Sequence, residues 1–205
     1  MKSQINNTEA SFLKAAIFGL SIIVLITYTG CNPNNPNPNC SSTNTVFNRL
    51  YNNHLANNSN YQNVNSVDLE IHSYTFNVST AKTICQIGYQ SNTAVTSPYT
   101  IRIRNLANNQ IIYTGSFTFS STQTSYVNVG AIALQAGVNY KIERELTFQG
   151  SLANLTGRII RDNSAAGPVS FPINNGVLTI TSSSFSGMGG PIVDYYLPYI
   201  DIVFQ

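Results

Sequence analysis

Apolar and polar positions alternate with a period of two along most of the chain beyond residue 66. Val67, Leu69 and Ile71 interleave with Asp68, Glu70 and His72, the pattern of a strand with one buried face. The phase then slips by one. Tyr74, Phe76 and Val78 carry the apolar face, which predicts a bulge near His72 and Ser73. The same period predicts strands over residues 83–89, 99–105, 111–119, 126–134, 138–148, 158–160, 177–181 and 199–204. Turn-forming pairs punctuate them: Ser97-Pro98, Asn108-Asn109, Ala136-Gly137, Gly167-Pro168, Asn175-Gly176 and Gly189-Gly190-Pro191. Some eight to ten short strands with such spacing describe an all-β domain, an antiparallel β-sandwich or jelly roll.

Upstream the pattern changes. Phe47, Leu50, Tyr51, His54 and Leu55 recur at helical spacing and predict a short helix over residues 44–56, followed by a polar loop at 57–65. Residues 32–39, NPNNPNPN, offer nothing to bury, and their prolines oppose both helix and sheet. About nine residues of extended backbone at roughly 3.1 Å each make this stretch a spacer of about 28 Å. Residues 15–26, AAIFGLSIIVLI, form an apolar run shorter than the roughly 20 residues a bilayer span takes. Lys2 and Lys14 flank it with positive charge, so residues 1–30 read as an export signal, with an uncut anchor or a buried helix as the alternatives. The chain thus divides into a signal at 1–30, a spacer at 31–44 and one sandwich domain at 45–205.

Two stretches carry a likeness to known families. Tyr28-Thr29-Gly30-Cys31 resembles the lipobox of bacterial lipoproteins, with Tyr28 where that family usually has Leu. The resemblance implies that Cys31 becomes the mature N-terminus and takes the lipid. Several acyl chains would then hold the protein at a membrane, since each buried CH₂ contributes about 0.8 kcal/mol. Residues 110–117 (QIIYTGSF), 134–140 (LQAGVNY) and 199–204 (YIDIVF) resemble an uncharacterised β-sandwich module of bacterial secreted and surface proteins. That module often carries Trp in its last strand, and this chain has none. The likeness implies a fold and a cell-envelope setting, with no activity attached.

Composition narrows the functional classes. Hydrophobic residues make up 42% of the 205 and charged residues only 9%, against about 25% in ordinary soluble domains. The surface must be built from Asn, Ser, Thr, Gln and Tyr. Net charge is +2, and two of the lysines lie in the leading segment. No basic face is left to neutralise a run of phosphates, which argues against nucleic acid as a partner. Neither a Gly-x-Ser-x-Gly elbow nor a phosphate-binding glycine loop occurs, and nothing implies a cofactor.

The candidate chemistry is sparse. Asp68, Glu70 and His72 would share one strand face and could bind a divalent metal with a ligand from elsewhere; the competing reading is a plain solvated face. Arg144 falls on the apolar face of residues 138–148. It either reaches the rim, pairs with a carboxylate such as Asp201, or binds an anion. Tyr195, Tyr196 and Tyr199 cluster near the C-terminus; such rings either stack on sugars or pack the core and rim. With Cys31 acylated, Cys40 and Cys85 remain, either as a disulfide closing a loop of about 45 residues or with Cys85 as a buried thiol. The sequence is therefore read as a lipid-anchored, non-catalytic envelope module that binds glycan or another envelope component. The lipoprotein resemblance implies the outer membrane, and the periplasmic leaflet rather than the surface, since surface-displayed lipoproteins of some groups carry acidic residues just after the cysteine and residues 32–39 have none. A polysaccharide hydrolase using Asp194, Asp201 or the Asp68/Glu70/His72 face is the second reading, and a subunit of a surface assembly offering a strand edge is the third.

Overall fold

The computed structural model describes residues 40–164 and 167–205. The expected signal at 1–30, Cys31 and residues 32–39 of the expected spacer lie outside the described residues. Among the described residues one α-helix precedes thirteen strands, β1 to β13, with a 3₁₀ turn at Leu152–Asn154 between β7 and β8, and all the strand pairings are antiparallel. The fold is an all-β sandwich, and its sheets do not close into a barrel. Among the described residues no helix is long and apolar enough to cross a membrane.

Helix α1, Val46–Ala56, begins where Thr45 accepts a hydrogen bond from the Asn48 amide at 2.9 Å, satisfying one of the free amides of the first turn. Phe47, Leu50 and Tyr51 fall on one face and are buried. The predicted helix is present, with its start two residues later than expected.

The largest sheet runs in the order β11-β10-β2-β7-β4-β5, with β9 also on β10. Its members are β2 (Ile71–Val78), β4 (Tyr99–Asn105), β5 (Gln110–Phe117), β7 (Tyr140–Glu145), β9 (Ile173–Asn174), β10 (Leu178–Ser186) and β11 (Ile192–Val193). Alternation decides the faces. Tyr99, Ile101 and Ile103 of β4 are buried while Arg102 and Arg104 point outward, Arg102 pairing with Glu145 on β7. A second sheet runs β13-β3-β6, from β13 (Asp201–Phe204), β3 (Lys82–Tyr89) and β6 (Ser125–Leu134). A third, β1-β8-β12, joins β1 (Tyr61–Ser66), β8 (Gly157–Asp162) and β12 (Tyr196–Pro198).

All three sheets and α1 contribute to one main core, from Phe47 and Tyr74 to Ile87, Ile160 and Ile202. The third sheet is covered on both sides. Ile160 belongs to the main core, while its neighbour Ile159 joins Leu69 and Phe185 in a second, smaller one. Two consecutive buried isoleucines on β8 follow directly from a strand packed on both faces.

Three expectations change. Residues 57–65 are not all loop, because β1 starts at Tyr61 and pairs along its length with β8. The phase slip near His72 is not a bulge: β2 pairs with β7 without interruption from Ile71 to Phe76. Instead the chain turns at Val67, whose φ is +65°, an uncommon value for a β-branched residue. Strand pairing resumes at Ile71. The last predicted strand, 199–204, starts two residues later as β13, and a separate short strand, β12, precedes it at Tyr196–Pro198.

Candidate functional site

Three polar groupings stand out from the apolar frame. The first is a surface cleft, and the other two are buried.

The cleft forms where β8 ends beside β12. Strand pairing sets Tyr196 opposite Arg161, so a residue from each strand projects side by side. A cavity of about 360 Å³ opens there, lined by Arg161, Asp162, Asn163, Ser164, Gly167, Tyr195 and Tyr196, within the usual size range of ligand sites. Tyr195 is 46% exposed. Tyr196 is half-buried and held edge-on against Phe185, with ring centres 5.6 Å apart. Asp162 accepts hydrogen bonds from the Ser164 amide at 2.7 Å and its hydroxyl at 2.6 Å, both on Oδ1. Gly167 approaches so closely that a Cβ there would sit 2.7 Å from Asp162 Oδ2. Arg161 reaches the side chains of Gln62 and Asn163 only at 3.4 and 3.5 Å, and its Nε, though buried, has no partner. The cleft therefore presents an open aromatic face, an under-used guanidinium, one carboxylate and an amide.

The second grouping is Arg144 with His72. Both are fully buried, on the core faces of β7 and β2. Arg144 Nη1 donates to the Glu70 carbonyl at 3.2 Å, and Nη2 donates to the Leu155 carbonyl at 2.7 Å. Nη2 also lies 2.9 Å from His72 Nδ1, while His72 Nε2 lies 3.1 Å from the Val67 carbonyl. Nη2 lies 3.1 Å from His72 Nε2 as well, and because a guanidinium only donates, the imidazole faces it as a neutral acceptor. Burial, then the Arg144 charge, holds His72 well below the ordinary histidine range. The guanidinium carbon sits 5.4 Å from the Tyr89 ring centre and 5.3 Å from that of Tyr99, so two aromatic faces add to the carbonyl dipoles. Neither ion pair found among the described residues includes Arg144. Asp201, one carboxylate the sequence offered as a partner, bonds elsewhere. Gly157 is required beside this group, since a Cβ there would come within 2.5 Å of the Tyr89 hydroxyl.

The third grouping surrounds Asp201, which is fully buried. Thr45 Oγ1 lies 2.8 and 2.9 Å from its two oxygens, and the Tyr126 hydroxyl donates at 2.9 Å. Thr45 is also the residue that caps α1, so Asp201 ties the helix start to β13. Burial raises the Asp201 carboxyl to about 6, against the pull of its hydrogen bonds and of Arg158.

Of the residues singled out in the sequence, Tyr195 and Tyr196 meet in the cleft. Tyr199 does not. It is 2% exposed, packed against Phe47 and Tyr51, with Arg158 over its ring. Asp68, Glu70 and His72 do not share a strand face: Asp68 and Glu70 precede β2, and His72 points into the core. Glu70 instead accepts a hydrogen bond from the Phe148 amide at 3.0 Å. Among the described residues no group of three or more His, Cys, Asp or Glu is arranged to hold a metal ion. Asp194 accepts from the Ser183 amide at 2.8 Å, whereas Asp201 is bonded to Thr45 and Tyr126. Cys40 and Cys85 form a disulfide. The cleft residues Arg161, Asp162 and Asn163 were not foreseen, because nothing local marks β8 as the neighbour of β12.

No family profile matches the chain, and a search of curated proteins finds no match either.

Proposed function

We propose that the protein is a lipid-anchored, non-catalytic module of the bacterial cell envelope that binds glycan at the cleft between β8 and β12. The observation that carries the reading is the pairing of an exposed tyrosine, Tyr195, with an incompletely bonded Arg161 across a polar cavity. Sugar rings present apolar C–H faces and a fringe of hydroxyls. A flat aromatic ring meets the first, while a guanidinium, an amide and a carboxylate meet the second. The lining has one carboxylate, Asp162, whereas glycoside hydrolysis generally uses two. Recognition suits these groups better than bond cleavage.

The envelope setting draws support from the Cys40–Cys85 disulfide, since such bonds persist in oxidising compartments and are rare in the cytosol. It lies directly after the Asn/Pro stretch that follows Cys31, so the spacer would run from the lipid to a covalently fixed point on the domain. The outer membrane, periplasmic side, is the place proposed.

Two measurements test this. Glycan-array binding of the chain from Cys31 onward, carrying Cys31→Ser, should give hits that Tyr195→Ala and Arg161→Ala abolish. Radiolabelled fatty acid should label the wild-type protein and leave Cys31→Ser unlabelled. Absence of any glycan signal removes the first half of the proposal. Equal labelling of both proteins removes the second.

A further inference from the structure

We infer that the protein pairs with a second copy of itself, edge to edge, through β5. The inference goes beyond glycan binding and does not depend on it.

Strand β5 ends the largest sheet. Its inner side is bonded to β4, and no backbone hydrogen bond from residues 110–117 to any other part of the chain exists among the described residues. A row of amides and carbonyls therefore faces outward. The sequence of this edge, QIIYTGSF, contains no charged residue and no proline, and Ile111 is 43% exposed. Proteins normally protect such an edge with charge, proline, shortness or cover. This molecule does so elsewhere. The opposite end of the same sheet, β11, has only two residues, and α1 packs beside the terminal strand β13 of the second sheet. At β5 the protection consists of one irregularity, in the pairing at Ile112.

The occupant that fits is the same strand from another copy. Antiparallel pairing about a two-fold axis near Thr114 and Gly115 sets a neutral strand against a neutral strand. The nearest charges on the sheet are Arg102 and Arg104 of β4. Arg102 is paired with Glu145, and Arg104 is bonded to Asn109. In the dimer each of these arginines would lie three strand spacings, about 14 Å, from its counterpart across the axis, beyond the screening length of about 8 Å at physiological salt. Charge thus offers no objection. Residues 32–39 of this chain are a poor alternative, because their prolines cannot supply a continuous ladder. A two-fold contact also closes on itself, leaving no further β5 edge to propagate.

The second layer continues the surface. Strand β6 touches β5 and ends the β13-β3-β6 sheet, and its sequence SYVNVGAIAL is likewise free of charge and proline. Eight residues at about 3.4 Å make β5 an edge of about 27 Å. Such an edge alone is smaller than a standard interface of about 800 Å² per partner. The dimer is therefore weak and rises with concentration.

The test uses the full chain with Thr114→Cys. Either placement of the axis brings the two Thr114 positions within one direct or diagonal cross-strand step, about 5–8 Å. A short bismaleimide should link this variant into a dimer many-fold faster than wild type, and Asn52→Cys, exposed on α1, should match wild type. Sedimentation over a rising concentration series should show reversible dimerisation that Thr114→Lys with Ser116→Lys removes, while the thermal transition and the disulfide stay intact. Cross-linking of Thr114→Cys no faster than Asn52→Cys would overturn the inference. So would a monomer at every concentration, a dimer indifferent to the two lysines, or capture of a different protein in place of a second copy.

Discussion

Arg144 Nη2 lies 2.9 Å from His72 Nδ1, with neither residue exposed and no carboxylate among the described residues paired to the guanidinium. A cation is thus held in the core by two carbonyls, a neutral imidazole and two tyrosine rings. Removing it strands acceptors that nothing else can reach. Arg144→Met is expected to lower stability by about 3 kcal/mol, read from urea denaturation. Arg144→Lys should recover little, because an ammonium cannot span the Glu70 and Leu155 carbonyls as the planar fork does.

Acid stability should reflect two opposed groups. His72 is depressed well below 6.5 in the fold, so the unfolded chain binds a proton that the fold refuses. Its contribution is full above pH 6.5 and is lost as pH falls through the folded value. Asp201 is raised from 3.8 to about 6, so here the fold binds the proton; its contribution is full below about pH 4 and is lost as pH rises to about 6. Each group changes stability by up to about 1.4 kcal/mol per pH unit within its window. Asp201→Asn should therefore steepen the loss of stability between pH 6 and 4, and His72→Gln should shallow it. Chemical denaturation at a series of pH values gives both slopes.

The Cys40–Cys85 bond closes a loop with a sequence separation of 45, worth roughly 4 kcal/mol in the chain-entropy description. Cys40→Ser should lower stability by about that amount, and reduction of the wild type should do the same without further loss in the variant. A soluble fragment must then begin at or before Cys40. One starting at Ser41 should melt earlier, by differential scanning calorimetry.

Tyr195 and Tyr199 differ in role although four residues separate them. Tyr195→Ala should change stability by less than about 0.5 kcal/mol and abolish binding at the cleft. Tyr199→Ala, which deletes a buried ring against Phe47, Tyr51 and Arg158, should cost about 3–5 kcal/mol. Melting curves and glycan titrations on the two variants separate these effects. A large stability loss in Tyr195→Ala would count against the cleft as a surface site.

Strand β4 was legible because it buries Tyr99, Ile101 and Ile103 and turns the residues between them outward, and the polar turn at Asn108-Asn109 sits where Asn109 adopts a φ of +58°. Strand β1, YQNVNS, was not: only Tyr61 is fully buried, and its order comes from pairing with β8 nearly a hundred residues later. The Asp68-x-Glu70-x-His72 alternation misled for a local reason. A positive φ at Val67 turns the chain, so a period of two persists in sequence after the strand has stopped. The cleft was hidden for a longer-range reason. Arg161 and Tyr196 become neighbours only through β8–β12 pairing, and no local pattern encodes a partner 35 positions away. Arg144 was placed on the correct face by alternation, but its partners are backbone carbonyls, which carry no signature in side-chain order.

The disulfide also sets how the domain meets a pull. Any tension applied through the residues before Cys40 passes across the sulfur bridge into β3, the middle strand of its sheet, flanked by β13 and β6. Helix α1, β1 and β2 lie inside the closed loop and bear none of it. A tethered domain would therefore be loaded at a strand bonded on both sides, and α1 would stay seated under a force that would otherwise peel it away first.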